Sequence, residues 1–376
     1  MSATGIIEQT TSQRPLITFA LLAYNQQDYI REAIEGAFAQ TYAPLQIVLS
    51  DDGSRDNTFH VMQEMAANYR GSHQILLNRN EPNRGIVGNV NRVMELAQGE
   101  LVVVAAGDDI SLPERTELTY QSWQNSHRRA LSIYSKPLPF SKHGPVSWTF
   151  QARPQTHCLG YQLDNGWVSV FGACHAWHRS LFEFFGPLPD TLGEEEKSIA
   201  FRAALLGEVL FEDRAMVRYR VHEGNTSSIF GFCYGGDKLM AEKSLRERQN
   251  FLQRVHSFKL DILTAHQKSL LNRVEAIDSL QRLERCRRNR EALWQLDSAS
   301  MRERLRGAGA LLANGNDAHL AFPEALRLLL RVCFPRFSRY MRSSAFGRAT
   351  WLAFKRNAQR LARPPKLQEG LITRPT

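Results

Sequence analysis

The sequence predicts an α/β fold: a mostly parallel, twisted sheet flanked by helices, followed by a helical, basic C-terminal extension. Three observations predict it. Strand-like and helix-like patterns alternate over roughly the first 135 residues. LVVVAA at 101–106 is strictly apolar, the pattern of a strand buried on both faces of a parallel sheet. Two apolar runs end abruptly in adjacent carboxylates, LQIVLS in Asp51-Asp52 and LVVVAAG in Asp108-Asp109. Such charge belongs at a sheet's rim, where it can meet water, a metal or a ligand.

The elements follow in order. An apolar strand is expected over 16–23. A helix follows over 29–40, with Ile30, Ala33, Ile34, Ala37 and Phe38 on one face. A second strand covers 45–50. A helix over 56–69 has Asp56, Asn57 or Thr58 as its cap and turns Val61, Met62, Met65 and Ala66 inward. Residues 74–77 form a short strand and 86–97 a helix. After the strand at 101–106, a helix over 113–125 has Pro113 in its first turn, and 130–134 is a further strand. Over 136–193, Pro, Gly, His and Trp rise and periodicity weakens, as in loops that carry function. A helix over 194–206 and a short strand over 209–211 precede a helical, Arg-rich stretch beyond Lys238. The expected organisation is a polar tail (1–14), a nucleotide-binding half (15–135), an acceptor-side half (136–237) and the extension (238–376).

The 376 residues carry a formal net charge of +9, unevenly spread. From Lys238 onward there are 28 Lys and Arg against 12 Asp and Glu; before it, 19 against 26. The acidic half holds the rim carboxylates, and the basic half reads as a partner-binding extension. No apolar stretch approaches the length of a membrane span. The first fifteen residues lack the pattern of a secretory signal. The five widely spaced cysteines offer neither a disulfide framework nor zinc-ligand spacing. A cytoplasmic location is the expectation, peripheral to the plasma membrane if the extension binds it.

In open α/β sheets, ligands bind outside the carboxyl ends of the strands. The two acidic pairs therefore point to one site for a nucleotide and a hard cation. In LSDDGSRDNT, Gly53 permits a tight reversal off the strand, while Ser54, Asp56 and Asn57 favour the turn and the next helix start. The bland alternative is that these acids only cap that helix.

Five segments, in this order, resemble glycosyltransferase family 2, enzymes with the GT-A nucleotide-sugar-binding fold. They are LLAYNQQDYIREAI, AFAQTY…LQIVLSDDGSRDNT, NRGIVGNVNRVMELAQGE, VVVAAGDDISLPE and FRAALLGEVLF…YRVHEGNTS. The resemblance covers about residues 15–230. It implies an inverting transferase that moves a sugar from a nucleotide-diphosphate donor to a hydroxyl of a saccharide acceptor, with Mg²⁺ or Mn²⁺ as cofactor. Bacterial surface-glycan synthesis, with a lipid-linked acceptor, is the expected setting.

The resemblance also implies site residues. Tyr24, Asn25, Asp51 and Asp52 fall at the base, with Asp52 facing it and Tyr24 stacking near it. Asn83, Arg84 and Asn91, near the predicted sheet mouth, could touch the nucleotide, and Asp108 falls on its ribose or just outside the metal's direct ligands. An arginine common among relatives falls on Val90. The family's metal motif is Asp-x-Asp or Asp-Asp-x; here it is Asp108-Asp109-Ile110, so Asp109 is the expected ligand, joined by His222. Asn225, Thr226 and Ser228 would line a loop over the phosphates. Counting back from Arg202 puts the general base at Glu195-Glu196, Glu196 first and Glu195 second, where relatives often have Glu-Asp. Helix-dipole preference for acids is the competing explanation. In GACHAWHRS, Trp177 could stack on an acceptor sugar and His175 or His178 bond it, or Trp177 could be core.

Residues 321–376 hold 12 basic and 2 acidic side chains. Within them Trp351, Phe354, Ala358 and Leu361 recur at helical spacing among cations, the profile of a helix in an anionic membrane interface. Packing on the catalytic domain would produce the same stripe. Nucleic-acid binding is disfavoured, since no recognisable motif accompanies the charge. A non-catalytic nucleotide-sugar-binding scaffold of the same fold is the alternative function. A nucleotidyltransferase is weaker, for want of a Gly-rich, basic phosphate loop.

Overall fold

The computed structural model describes residues 14–146, 150–222 and 237–298. The chain divides into two compact units, Met1–Arg287 and Arg288–Thr376. The loop residues Asn225, Thr226 and Ser228 and the amphipathic stretch within 321–376 lie outside the described residues.

The alternating part runs β1 (Ile17–Ala23), α1 (Ile30–Phe38), β2 (Leu45–Asp51), α2 (Thr58–Asn68), β3 (Gln74–Arg79), α3 (Gly85–Leu96), β4 (Leu101–Ala106), β5 (Ile110–Ser111) and α4 (Arg115–Asn125). It continues with β6 (Ala130–Ser141), β7 (Gly144–Pro145), α5 (Leu159–Asn165), β8 (His175–His178), α6 (Ser180–Phe185), α7 (Glu196–Leu206) and β9 (Glu208–Arg220). Two long helices follow, α8 (Asp237–Gln267) and α9 (Arg273–Ser298).

The strands form one sheet in the order β3-β2-β1-β4-β8-β6-β9-β5, with β7 on β6. β1 pairs in parallel with β2 and β4, and β2 with β3. β8 runs antiparallel to β4 and β6. The strictly apolar strands have the expected cause, since both faces are covered. Phe19, Leu21, Ile47, Leu49 and Val103 pack with Ile34 of α1 and Met62 of α2. Ala20, Leu22, Val48, Val102 and Val104 pack with Val90 and Val93 of α3 and Ile199 and Ala203 of α7. At α2, Asn57 occupies the cap position without a side-chain bond, while Asp56 accepts from the Thr58 amide at 2.9 Å.

β6 and β9 are far longer than the sequence indicated. They run side by side in parallel from Ala130↔Glu208 to Phe140↔Arg220, with register shifts near Ser135 to Pro137. This pairing carries the end of β9 across to β5, where Ile110 faces Arg218. The segment just after β9 therefore lies over the acidic pair that follows β4.

Candidate active site

β1 organises the rim. The Asp52 amide donates to Ala23 O at 2.9 Å and the Gly107 amide to Leu22 O at 2.8 Å. Both acidic pairs thus hang from the tip of β1, one on each side. The strands that carry them are not neighbours; β1 separates them, so the two tips stand about 10 Å apart at ordinary strand spacing.

On the β2 side, Gly53 is in the left-handed region (φ +72°), and a Cβ there would sit 2.8 Å from Asn80 O. Only glycine fits both the conformation and the space. Asp52 is 3% exposed. Its Oδ1 accepts from Asn80 Nδ2 at 2.9 Å and from the Arg84 amide at 3.0 Å. Asn80 also donates to Asn89 Oδ1, which accepts from Ser50 Oγ as well. A buried amide cluster therefore fixes the Asp52 carboxylate from behind. Tyr24 follows Ala23, whose carbonyl accepts from the Asp52 amide, and is 43% exposed. Arg84 is exposed on the same rim.

Three expected nucleotide contacts are placed otherwise. Asp51 is fully buried; adjacent residues of a strand point to opposite faces, and its Oδ2 accepts from the Ser54 amide and faces Arg79 Nε at 3.4 Å. Asn91 exchanges two 2.9 Å hydrogen bonds with the backbone of Leu188, so it clamps α3 to the loop before α7. Asn25 holds φ +51° and bonds Ser54 Oγ and the Arg55 amide; it shapes the turn.

On the β4 side, His222 Nε2 lies 3.0 Å from Asp108 Oδ2, and both side chains are partly exposed. The Tyr29 ring lies 4.8 Å from the imidazole. Asp109 is placed differently from the sequence expectation. It is 2% exposed, and its Oδ1 accepts from the Arg220 amide at 2.8 Å. Burial first, then the Asp108 charge, pushes its carboxyl well above the usual range, against the pull of Arg220 and Arg115. The imidazole faces Asp108. Among the described residues, no group of three or more His, Cys, Asp or Glu side chains is arranged to hold a metal.

Arg115 ties this rim to the turn that packs near the N-terminus of α7. It is buried in the first turn of α4 and donates to Ser111 Oγ, Val104 O, Ala173 O and His175 O. The turn it holds, Gly172–Cys174, backs onto the α7 N-terminus, where a Cβ on Gly172 would lie 3.5 Å from Glu195 Oε1 and 3.7 Å from Glu196 Cβ. Glu195 is buried; burial and the Glu196 charge push its carboxyl upward. Glu196 is less enclosed. Burial pushes it up as well, but Lys197, 2.9 Å away, outweighs that and keeps it below the usual range. Two adjacent carboxyls with opposite shifts are a pattern expected where one must stay ionised.

The acceptor assignments on β8 are corrected. Trp177 is 1% exposed and belongs to the core cluster under α3 and α7, its Nε1 3.2 Å from Met94 Sδ. His178 pairs with Leu101 at the start of β4, the end of the sheet away from the acids, and bonds Ser180 Oγ. His175 is buried with Nε2 2.7 Å from Ser132 Oγ, and burial holds its imidazole down at about 4. Strand β8 runs antiparallel to both its neighbours within the sheet, where His175 and Trp177 are buried and His178 is half-buried.

The sequence reading missed Asn80, Arg115 and Arg220. Arg115 carried a usable signal, since it shares the inward face of its helix with Thr119 and Ser122. Asn80 and Arg220 carried none, because their roles arise from strand pairings far apart in sequence.

Residues 18–184 match the family described as Glycosyl transferase family 2. The chain is 24% identical over 271 residues to an uncharacterized glycosyltransferase of Haemophilus influenzae, a match covering 68% of this chain and 80% of that protein. It is 34% identical over 113 residues to a chondroitin synthase of Escherichia coli, covering 30% of this chain and 16% of that protein. The fold resembles S. aureus TarS 1-349 in complex with UDP, at a TM-score of 0.50 and 17% identity, covering 86% of this chain and 87% of that one. The fold is thus of the GT-A type. The likeness to glycosyltransferase family 2 is carried by residues 18–184, somewhat under half of the chain.

Proposed function

We propose that this chain transfers a sugar from a nucleoside-diphosphate donor to a hydroxyl of a saccharide acceptor, with inversion at the anomeric carbon. The observation that carries this reading is the pair of rim carboxylates. Asp52 and Asp108 flank the tip of β1, each held to it through the backbone of its own loop. Asp52 has one oxygen satisfied by Asn80 and Arg84, which leaves the other to accept an N–H from a base or a ribose hydroxyl. Tyr24 covers the base, and Arg84 answers the diphosphate charge.

Asp108 and His222 fit a divalent cation. A carboxylate oxygen and an imidazole nitrogen converge at a partly exposed rim, a donor set suited to Mn²⁺ or Mg²⁺ when phosphate oxygens and water complete the shell. Bound there, the cation would neutralise the charge that builds on the departing diphosphate. Asp109 supports this rim from below through the Arg220 amide.

Glu196 is the base. Its ionised carboxylate takes the proton of the acceptor hydroxyl as that oxygen attacks the anomeric carbon from the face opposite the diphosphate. Glu195, pushed up to about 8 by burial and then by the Glu196 charge, is the poorer base at neutral pH.

The acceptor is a glycan, in line with the E. coli relative's being a chondroitin synthase. A lipid-linked bacterial surface glycan suits the basic amphipathic stretch within 321–376, which would hold the enzyme peripherally on an anionic leaflet. No helix among the described residues is long and apolar enough to cross a membrane. The test is incubation of the full chain with Mn²⁺, a panel of nucleotide sugars and lipid-linked acceptors. Release of one nucleoside diphosphate coupled to acceptor glycosylation is expected. Intact donors throughout the panel would contradict the reading.

A further inference from the structure

We propose that Arg254, on a helix beyond the family-matched segment, is a positioning residue for Glu196 and acts through Glu194 and Lys197. This rests on the reading of Glu196 as base.

Four side chains form a line of alternating charge. Arg254 of α8 contacts Glu194, Glu194 contacts Lys197, and Lys197 lies 2.9 Å from Glu196 Oε1. Arg254 is 1% exposed and further anchored by Nε to Gly166 O at 2.8 Å. A buried guanidinium needs anions and fixed acceptors, and Glu194, Glu247 at 3.6 Å and Gly166 supply them. Glu194 is therefore divided between two cations. Lys197 is divided in turn between two anions, Glu194 and Glu196.

Among the described residues, three titratable groups face Glu196. Glu195 and Lys197 adjoin it in sequence, and His175 faces it from β8. His175 is neutral at pH 7, so Lys197 supplies the positive charge at the carboxylate. Without Arg254, Glu194 would draw Lys197 more strongly and add an uncompensated negative charge nearby. The α8 side of this line is rigidly placed. Arg202 of α7 bonds Asp261 of α8 at 3.0 and 3.1 Å, and Phe201 stacks on Phe258 at 3.8 Å. The extension thus reaches the reaction centre through charge while standing outside it.

The experiment is a carboxyl ¹³C NMR titration of the full chain labelled at glutamate Cδ, with the Glu196 signal assigned by its loss in Glu196→Gln. Relative to wild type, Arg254→Met is expected to raise the Glu196 midpoint by about one pH unit, and Lys197→Met by at least as much. Glu194→Gln is expected to lower it, and Arg254→Met/Glu194→Gln to restore it. Arg254→Lys, which keeps the charge, is expected to stay near wild type. A general packing role for Arg254 would not be rescued by Glu194→Gln. An unmoved midpoint in Glu194→Gln and Lys197→Met, neither of which removes the buried guanidinium, would overturn the proposal even if Arg254→Met failed to fold. Turnover by Glu196→Gln is read separately. Retained turnover would refute the base assignment and leave the titration to decide the charge line on its own.

Discussion

His222 Nε2 lies 3.0 Å from Asp108 Oδ2, although 114 residues separate them in sequence. The contact exists because β9 runs parallel to β6 and then pairs with β5, which delivers the chain just beyond Arg220 to the acids at the end of β4. A short strand pairing at the sheet's edge therefore completes the candidate cation site.

Replacing His222 by Ala should weaken cation-dependent binding of the nucleoside diphosphate by about tenfold or more, the scale of one charged hydrogen-bonding partner. Binding measured without the cation should change little. Calorimetric titration with and without Mn²⁺ checks both halves.

Glu196→Gln should lower kcat by a factor on the order of 10² to 10⁴, the usual worth of a positioned general base, with little change in donor KM. Glu195→Gln should be milder. In wild type the rate should fall on the acid side as Glu196 takes up a proton. The pH dependence of kcat for the two variants separates their roles.

Trp177→Ala should destabilise the protein by about 3–5 kcal/mol, since it empties a packed core site. Trp177→Phe should keep turnover and acceptor KM, which a sugar-stacking role would not allow. Urea unfolding and acceptor kinetics together test this.

The fold's left part was legible in the sequence because parallel strands covered on both faces leave continuous apolar runs. β1 to β4 fall within a residue or two of their expected bounds. β6 and β9 were read too short for a physical reason. Pro137 and Pro139 argue against a strand interior, and Glu212, Asp213 and Arg214 interrupt the apolar pattern of β9. The structure accommodates both with register shifts near Ser135 to Pro137. Within the site, the glycine turn after β2 was legible from local pattern, whereas the roles expected of Asp52, Glu195 and Glu196 came from the family resemblance. The face on which Asp51 points, the burial of Trp177 and the partner of His222 depend on strand alternation and sheet order, which local pattern does not encode.

His175 gives a pH signature. Its folded pKa, about 4, lies below the ordinary value near 6.5, so the unfolded chain binds more protons between those limits. Its contribution is fully present above pH 6.5 and is lost as pH falls towards 4, by about 3 kcal/mol at most. Stability measured across that range should slope less in His175→Asn than in wild type.

The central claim is that Asp52 and Asp108 hold one nucleoside diphosphate, the first through the base or ribose and the second through a cation. Calorimetric binding of UDP, GDP, CDP, ADP and dTDP to wild type, Asp52→Ala and Asp108→Asn, each with and without Mn²⁺, tests it most directly. One nucleotide should bind wild type with Mn²⁺, lose affinity in Asp52→Ala, and lose its cation dependence in Asp108→Asn. Binding that is unchanged in both variants, or absent for every nucleotide, would contradict the account.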